Sequence, residues 1–208
     1  PETLTDTLRA LSADGAVHGV LLLRPLPEAL RAQELLDTLD ARKDVDGMTT
    51  ASLGALVTGA AGFAPCTAEA CMELLRAHGI DPAGRRVTVV GRSLVIGRPA
   101  ALLLTHADAT VTLCHRKTPD LAARCRDADI LLAAAGAPGL ITTDFVRPGQ
   151  IVLDAGATAL PDGTLRGDVA PDAAAITVCT PVPGGIGSVT TALLLRHTVQ
   201  AAENLRHF

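Results

Sequence analysis

A run of mostly β-branched residues, Val87-Thr-Val-Val90, leads directly into the glycine-bearing turn Gly91-Arg-Ser-Leu-Val-Ile-Gly97 and then into a helical pattern over about 98–106. A strand that turns on glycine into a helix points backbone N–H groups and a helix N-terminus at one spot, an arrangement that suits a phosphate. The rest of the chain repeats the alternation. Strand-like runs at 110–114, 130–134, 151–154 and 176–178 alternate with helical runs, among them 119–127 and a last one from Val189 to about Leu205. Such a sequence predicts an α/β fold built on a parallel, doubly wound sheet.

The first third reads less regularly. Leu4–Ala13 is helical in pattern, Val17–Leu23 reads as a buried strand ending at Pro25-Leu-Pro27, and Glu28–Leu39 as an amphipathic helix leading into an Asp-rich turn. Thr67 is placed to cap a helix over Ala68–His78, with Glu69 in its first turn. A second glycine-rich stretch, Pro181-Val-Pro-Gly-Gly-Ile-Gly-Ser-Val-Thr190, precedes the last helix. Its two prolines fix φ, and its three glycines let a flat ligand approach bare backbone.

Composition narrows the partners. The 208 residues are 48% hydrophobic but contain no Trp, no Tyr and three Phe, so the core must be aliphatic. A net charge of −4 argues against a nucleic-acid surface, which carries a basic patch. No apolar run reaches the length of a membrane span and no charged-then-apolar leader opens the chain, so no membrane partner is expected. Five cysteines, odd in number and without a C-x-x-C pair, read as reduced cytoplasmic thiols, not as a disulfide frame or zinc site. Lys43 and Lys117 are the only lysines, so any lysine chemistry within the chain has two candidates.

The turn at Gly91–Gly97 departs from G-x-G-x-x-G because Ser93 stands where the second glycine would be. An ordinary βα turn would explain that motif taken alone. The next strand ends, about twenty residues on, where a dinucleotide fold reads the adenosine ribose. His115, Arg116 and Lys117 occupy that place, with Arg92 available from the first turn and no acidic residue to select a free 2′-hydroxyl. Cations there suit a 2′-phosphate and favour NADP. His115 alone would be a structural hydrogen-bonder, and Cys114 and Cys179 small buried apolar residues. Asp44 and Asp46 flank Val45, but no His or third carboxylate joins them, so no metal is expected.

With Lys43-Asp-Val-Asp-Gly47, Pro65-Cys-Thr67, Thr110–His115, Gly167-Asp-Val169 and the two glycine-rich stretches, the chain resembles the methylenetetrahydrofolate dehydrogenase/cyclohydrolase family, in order along nearly its whole length. The resemblance implies a folate-side domain over 1–64, a Rossmann NADP-binding domain over 65–181, and a loop and helix over 182–208 returning to the folate side, with the cleft between. It implies that Asp46 pairs with the amino and ring N–H groups of a tetrahydrofolate-type substrate. Leu22, Leu23, Arg24, Pro183, Gly184, Gly185, Ile186 and Gly187 line the substrate site, and Lys43 ion-pairs locally. Gly91, Arg92, Ser93, Gly97, His115, Arg116 and Ala157 hold NADP, and a homodimer forms through the cofactor domain.

The departures from the family pattern fall mainly on the folate side. An N-terminal segment with a strand and a Tyr-x-x-x-Lys motif precedes the equivalent of Leu4 in the family, so the folate-side domain is expected to be reduced. Leu23 stands where Val-Gln-Leu-Pro-Leu-Pro has its Gln, and Ser52 and Thr158 replace Asn. No catalytic residue is assigned. The leading expectation is NADP-dependent dehydrogenation of 5,10-methylenetetrahydrofolate or a close relative, with the cyclohydrolase step weak or lost. A bifunctional enzyme and a non-catalytic nucleotide-binding partner subunit are the alternatives.

Overall fold

The computed structural model describes residues 2–23, 26, 27, 30 and 33–206. The chain divides into two compact units. One is made of residues 1–66 with 191–208, and the other of residues 67–190.

The second unit carries a five-stranded sheet. Its strands are β1 (Arg86–Val90), β2 (Thr110–Cys114), β3 (Ile130–Ala133), β4 (Ile151–Asp154) and, beyond a two-stranded hairpin of β5 (Thr158–Ala159) and β6 (Leu165–Arg166), β7 (Val178–Cys179). The order is β2-β1-β3-β4-β7, and every neighbouring pair is parallel. Central strands covered on both faces must be apolar throughout, and all four residues of β3 are buried. Val90, Leu131, Ala133, Ile141 and Val152 form one aliphatic core with Cys114 and Cys125. The expected parallel α/β sheet is therefore present. Its last strand begins at Val178, because Ile176 still belongs to helix Pro171–Ile176.

The helices of this unit are Cys66–Ala77 (which begins in the first unit), Gly97–His106, Leu121–Asp127 and Pro171–Ile176. The first begins before Thr67, so Thr67 sits in its first turn and does not cap it; the Thr67 carbonyl accepts from Cys71 Sγ instead. The long helix Ile186–Arg206 starts inside the second glycine-rich stretch, earlier than the expected Val189.

In the first unit, Glu2–Ala13 presents Leu4, Leu8 and Leu11 on one face, which packs with Val20, Leu35 and Leu39. The expected strand over Val17–Leu23 does not form. A buried strand needs ladder partners on both sides, and among the described residues this segment has one parallel bridge, Val20 to Asp44. Leu21 and Leu23 are accordingly exposed. Of the helix expected over Glu28–Leu39, the turn Gln33–Leu36 is helical, residues 37–39 form a turn, and positions 28, 29, 31 and 32 lie outside the described residues. The helix Thr50–Thr58 is capped by Thr49, whose hydroxyl accepts from Ser52 N, and ends on Gly59 in the left-handed region.

Candidate functional site

Chain order and strand order together locate a crevice. From β1 the chain moves outward to β2, then returns past β1 to β3, so the connections leave the carboxyl ends of β1 and β3 in opposite directions. Ligands of open α/β sheets bind at this kind of reversal. Gly91 stands there with φ +126°, and a Cβ on it would lie 2.0 Å from the Ala134 carbonyl oxygen. Gly97 opens its helix against the same loop, and a Cβ there would lie 2.0 Å from Gly91 O. The two glycines stack backbone on backbone, which leaves a cradle free of side chains at the start of a ten-residue helix. Ser93 serves the turn itself, accepting from Ile96 N through its hydroxyl at 3.1 Å and from Arg98 N through its carbonyl.

The neighbouring strand brings the cationic residues alongside. Val90 and Cys114 are in register, and Gly91 N donates to Cys114 O at 2.9 Å, so the Arg92 and Arg116 loops leave adjacent strand ends. Arg92, Arg116 and Lys117 are exposed. His115 folds back on its own turn, with Nδ1 accepting from Lys117 N at 3.1 Å, while its backbone N–H donates to Thr118 Oγ1.

Two buried aspartates shape the rest of this edge, a role that sequence reading did not assign to them. Asp168 is fully buried and accepts from the N–H groups of Ala135, Gly136 and Ala137 at 2.6, 3.0 and 2.7 Å. Asp154, at the end of β4, accepts from Gly156, Asp168 and Val169 N at 2.9, 2.9 and 3.0 Å. Burial pushes the Asp154 carboxyl above its ordinary value, the three N–H groups pull it down, and the charge of Asp168 adds to the upward push. The signal was an Asp within two residues of a Gly at or just past a strand end, in Asp154-Ala-Gly156 and Gly167-Asp168. Ala157 follows this lattice and is exposed. Beyond β7, Pro183, Gly184 and Gly187 are exposed while Gly185 and Ile186 are buried, and the Val182–Pro183 bond is cis. The second unit thus gathers all the expected cofactor residues and Pro183–Gly187 along the carboxyl edge of one sheet.

Asp46, Leu22 and Leu23 belong to the first unit. Leu22 and Asp46 each lie two residues beyond the bridged pair Val20 and Asp44. Leu23 is 76% exposed, and Arg24 lies outside the described residues. Asp44 faces inward and accepts from Thr49 N and Ser52 Oγ, both at 2.7 Å. Lys43 does not form the expected ion pair. Its Nζ donates to the carbonyls of Leu11, Ser12 and Asp14 at 3.0, 2.7 and 2.7 Å; the end of the first helix leaves the Leu11 and Ser12 carbonyls beside it, and Asp14 O also accepts from Val17 N at 3.1 Å.

Among the described residues no group of three His, Cys, Asp or Glu side chains could hold a metal, and no helix is long and apolar enough to cross a membrane. All five cysteines are free, and burial pushes the Cys71 and Cys125 thiols up to about 12.

Comparison with known proteins agrees with this geometry. Residues 65–206 match the tetrahydrofolate dehydrogenase/cyclohydrolase NAD(P)-binding domain. The chain is 54% identical over 205 residues to bifunctional protein FolD 1 of Rhodococcus jostii, covering 97% of this chain and 68% of that protein. The bifunctional FolD methylenetetrahydrofolate dehydrogenase/cyclohydrolase of Campylobacter jejuni superposes with a TM-score of 0.93 at 40% identity, over 98% of this chain and 73% of that one. The Trypanosoma brucei FolD, solved with NADP and an inhibitor, gives 0.90 at 37% identity, over 98% and 72%. By matched domain, identity and fold, this chain belongs to the tetrahydrofolate dehydrogenase/cyclohydrolase family.

Proposed function

We propose that this chain is an NADP-dependent methylenetetrahydrofolate dehydrogenase in which the cyclohydrolase step is weak or lost. The observation that carries the dehydrogenase reading is the bare cradle of Gly91 and Gly97 beside the exposed Arg92 and Arg116. A dinucleotide fits that cradle because a pyrophosphate needs unobstructed backbone N–H groups, and the two guanidiniums suit a 2′-phosphate. Bound NADP would supply the acceptor for a hydride leaving the one-carbon unit.

The chain's own residues have the tasks of binding and alignment. Asp46 accepts the coplanar N–H groups of the pterin, and the exposed backbone of Pro183 and Gly184 leaves room for flat rings in contact. Transfer between stacked rings requires no protein acid or base. Opening a methenyl ring does require an oriented water. Leu23 has no polar atom with which to hold one, and loss of such acid–base help is worth about 10²–10⁴-fold.

The names of relatives such as the Rhodococcus jostii protein favour a second reading, a bifunctional enzyme. Two measurements separate the readings. The first is reduction of NADP against NAD with methylenetetrahydrofolate, for the wild type and Arg116→Ala. The variant should lose NADP preference at a cost of about 1.5–3 kcal/mol; equal loss for both cofactors would assign Arg116 to the loop. The second is the absorbance decay of methenyltetrahydrofolate. Decay far above the buffer blank establishes the bifunctional reading, whereas NADP binding without any turnover establishes a non-catalytic subunit. We further propose a cytoplasmic homodimer, supported by the reduced thiols and by β2, an edge strand with Thr110, Thr112 and Leu113 exposed. A monomer mass by light scattering would overturn the dimer.

A further inference from the structure

The loop that carries Asp46 is held at a point just before it by two side chains distant in sequence. The Val45 carbonyl receives His197 Nδ1 at 2.8 Å and Cys66 Sγ at 3.2 Å. A carbonyl only accepts, so Nδ1 carries the hydrogen, and the thiol directs its own hydrogen to the second lone pair. His197 is 2% exposed and Cys66 fully buried. Phe63 packs its ring on the imidazole with centroids 4.7 Å apart. On the other side of Asp46, Gly47 has φ +65°, and a Cβ there would lie 2.5 Å from Phe63 O. Asp46 is therefore clamped between a peptide plane with both acceptor sites filled and a residue pressed on the 63–64 backbone.

We infer that His197 and Cys66 are positioning residues for Asp46. By fixing the Val45–Asp46 peptide they set the place from which the Asp46 carboxylate meets the pterin, an inference that rests on the role given to Asp46 under Proposed function. A carboxylate that must meet two N–H groups in one plane tolerates little displacement of its own backbone. Neither His197 nor Cys66 needs to touch substrate for this. Removal of the imidazole donor leaves one lone pair of a buried carbonyl unfilled and the peptide held there by the weaker Cys66 thiol bond.

The test compares His197→Leu, His197→Asn, Cys66→Ala and Asp46→Asn in the full chain. Each is measured for tetrahydrofolate affinity by calorimetry, for KM and kcat with methylenetetrahydrofolate, and for NADP affinity. His197→Leu should weaken tetrahydrofolate binding about tenfold and raise KM more than it lowers kcat, the scale of one lost buried hydrogen bond. NADP affinity should be unchanged. His197→Asn, which keeps an N–H near the Nδ1 position, should restore most of the loss, and Cys66→Ala should shift affinity in the same direction by less. If His197→Leu does not fold, Cys66→Ala and His197→Asn carry the test. Loss of folate affinity in Asp46→Asn with normal affinity in His197→Leu would overturn the positioning role alone. Normal affinity in Asp46→Asn would overturn the assignment of Asp46, and this inference with it.

Discussion

Replacing Asp168 with alanine should loosen the cofactor edge more than any other single change on that side of the sheet. The carboxylate takes three N–H groups at 2.6–3.0 Å from three consecutive residues, all of them charge-assisted bonds. At about 1.5–3 kcal/mol each, their removal would cost about 5–9 kcal/mol if the donors stayed dry. Two effects reduce this. Ala135 and Gly136 are exposed, so their freed N–H groups recover water, and loss of the Asp168 charge relieves Asp154. A net loss of about 3 kcal/mol is expected, a large share of the roughly 5–15 kcal/mol that holds a domain. Asp168→Asn keeps the volume and one acceptor oxygen and should lose about half as much. Urea unfolding would show the change as a lower midpoint at an unchanged slope, and NADP affinity should fall alongside. A loss below about 1 kcal/mol in Asp168→Ala, or an Asn variant as stable as wild type, would refute the view that this carboxylate organises the loop.

Gly97→Ala places a methyl group 2.0 Å from a backbone oxygen, so it should destabilise by about 1–3 kcal/mol and weaken NADP binding, measured by calorimetry and thermal melting. Asp129 is drawn down to about 2 by hydrogen bonds and charge from Arg86, with Arg147 adding to it. Its folded value lies below its unfolded one, so its contribution is complete above the ordinary carboxylate range and is lost as pH falls toward 2. Arg86 is 63% exposed, so solvent holds that contribution to about 1 kcal/mol or less, and melting curves of wild type and Asp129→Asn should converge over that window. Cys71 and Cys125 should resist alkylation at pH 8 in the native protein and react once it is unfolded in urea.

The sheet was legible because its residues carry the pattern locally. Ile130–Ala133 and Ile151–Leu153 are continuous aliphatic runs and Val87–Val90 is one broken only by Thr88, and a parallel strand covered on both faces permits little else. The glycine turn was legible for the same reason, since only glycine fits two backbones at the distance found between residues 91 and 97. Val17–Leu23 has an equally aliphatic run yet makes one bridge. A strand is a statement about neighbours, and that information does not reside in the segment. Asp154, Asp168, Lys43 and His197 were missed for a related reason. Apart from the local bond from Gly156 N to Asp154, each acts on backbone groups 14 to 152 residues away, and the residue type alone does not say which peptide it will meet.

Buried carboxylates collect N–H groups in both units, Asp154 and Asp168 in the second and Asp44 in the first. In the first, donor side chains also collect carbonyls, with His197 and Cys66 on Val45 and Lys43 on the end of the first helix. Lys43 is the more consequential of these, because the residue is 4% exposed and no carboxylate lies within ion-pair distance among the described residues. Its charge is balanced by three carbonyls at the negative end of a helix, where a cation belongs. Lys43→Met removes three bonds and also removes the cost of burying a charge, so the two terms oppose one another and a net loss of about 2 kcal/mol is expected. That loss should be local. Amide exchange over Glu2–Ala13 should accelerate by about thirtyfold, the factor that 2 kcal/mol gives, while β1, β3 and β4 exchange as in the wild type and NADP affinity holds. Lys43→Arg should not rescue it, since a planar fork cannot converge on three carbonyls as a single ammonium does. Unchanged exchange in the first helix would mean that its leucine face on Val20, Leu35 and Leu39 holds it unaided, with the lysine only filling space.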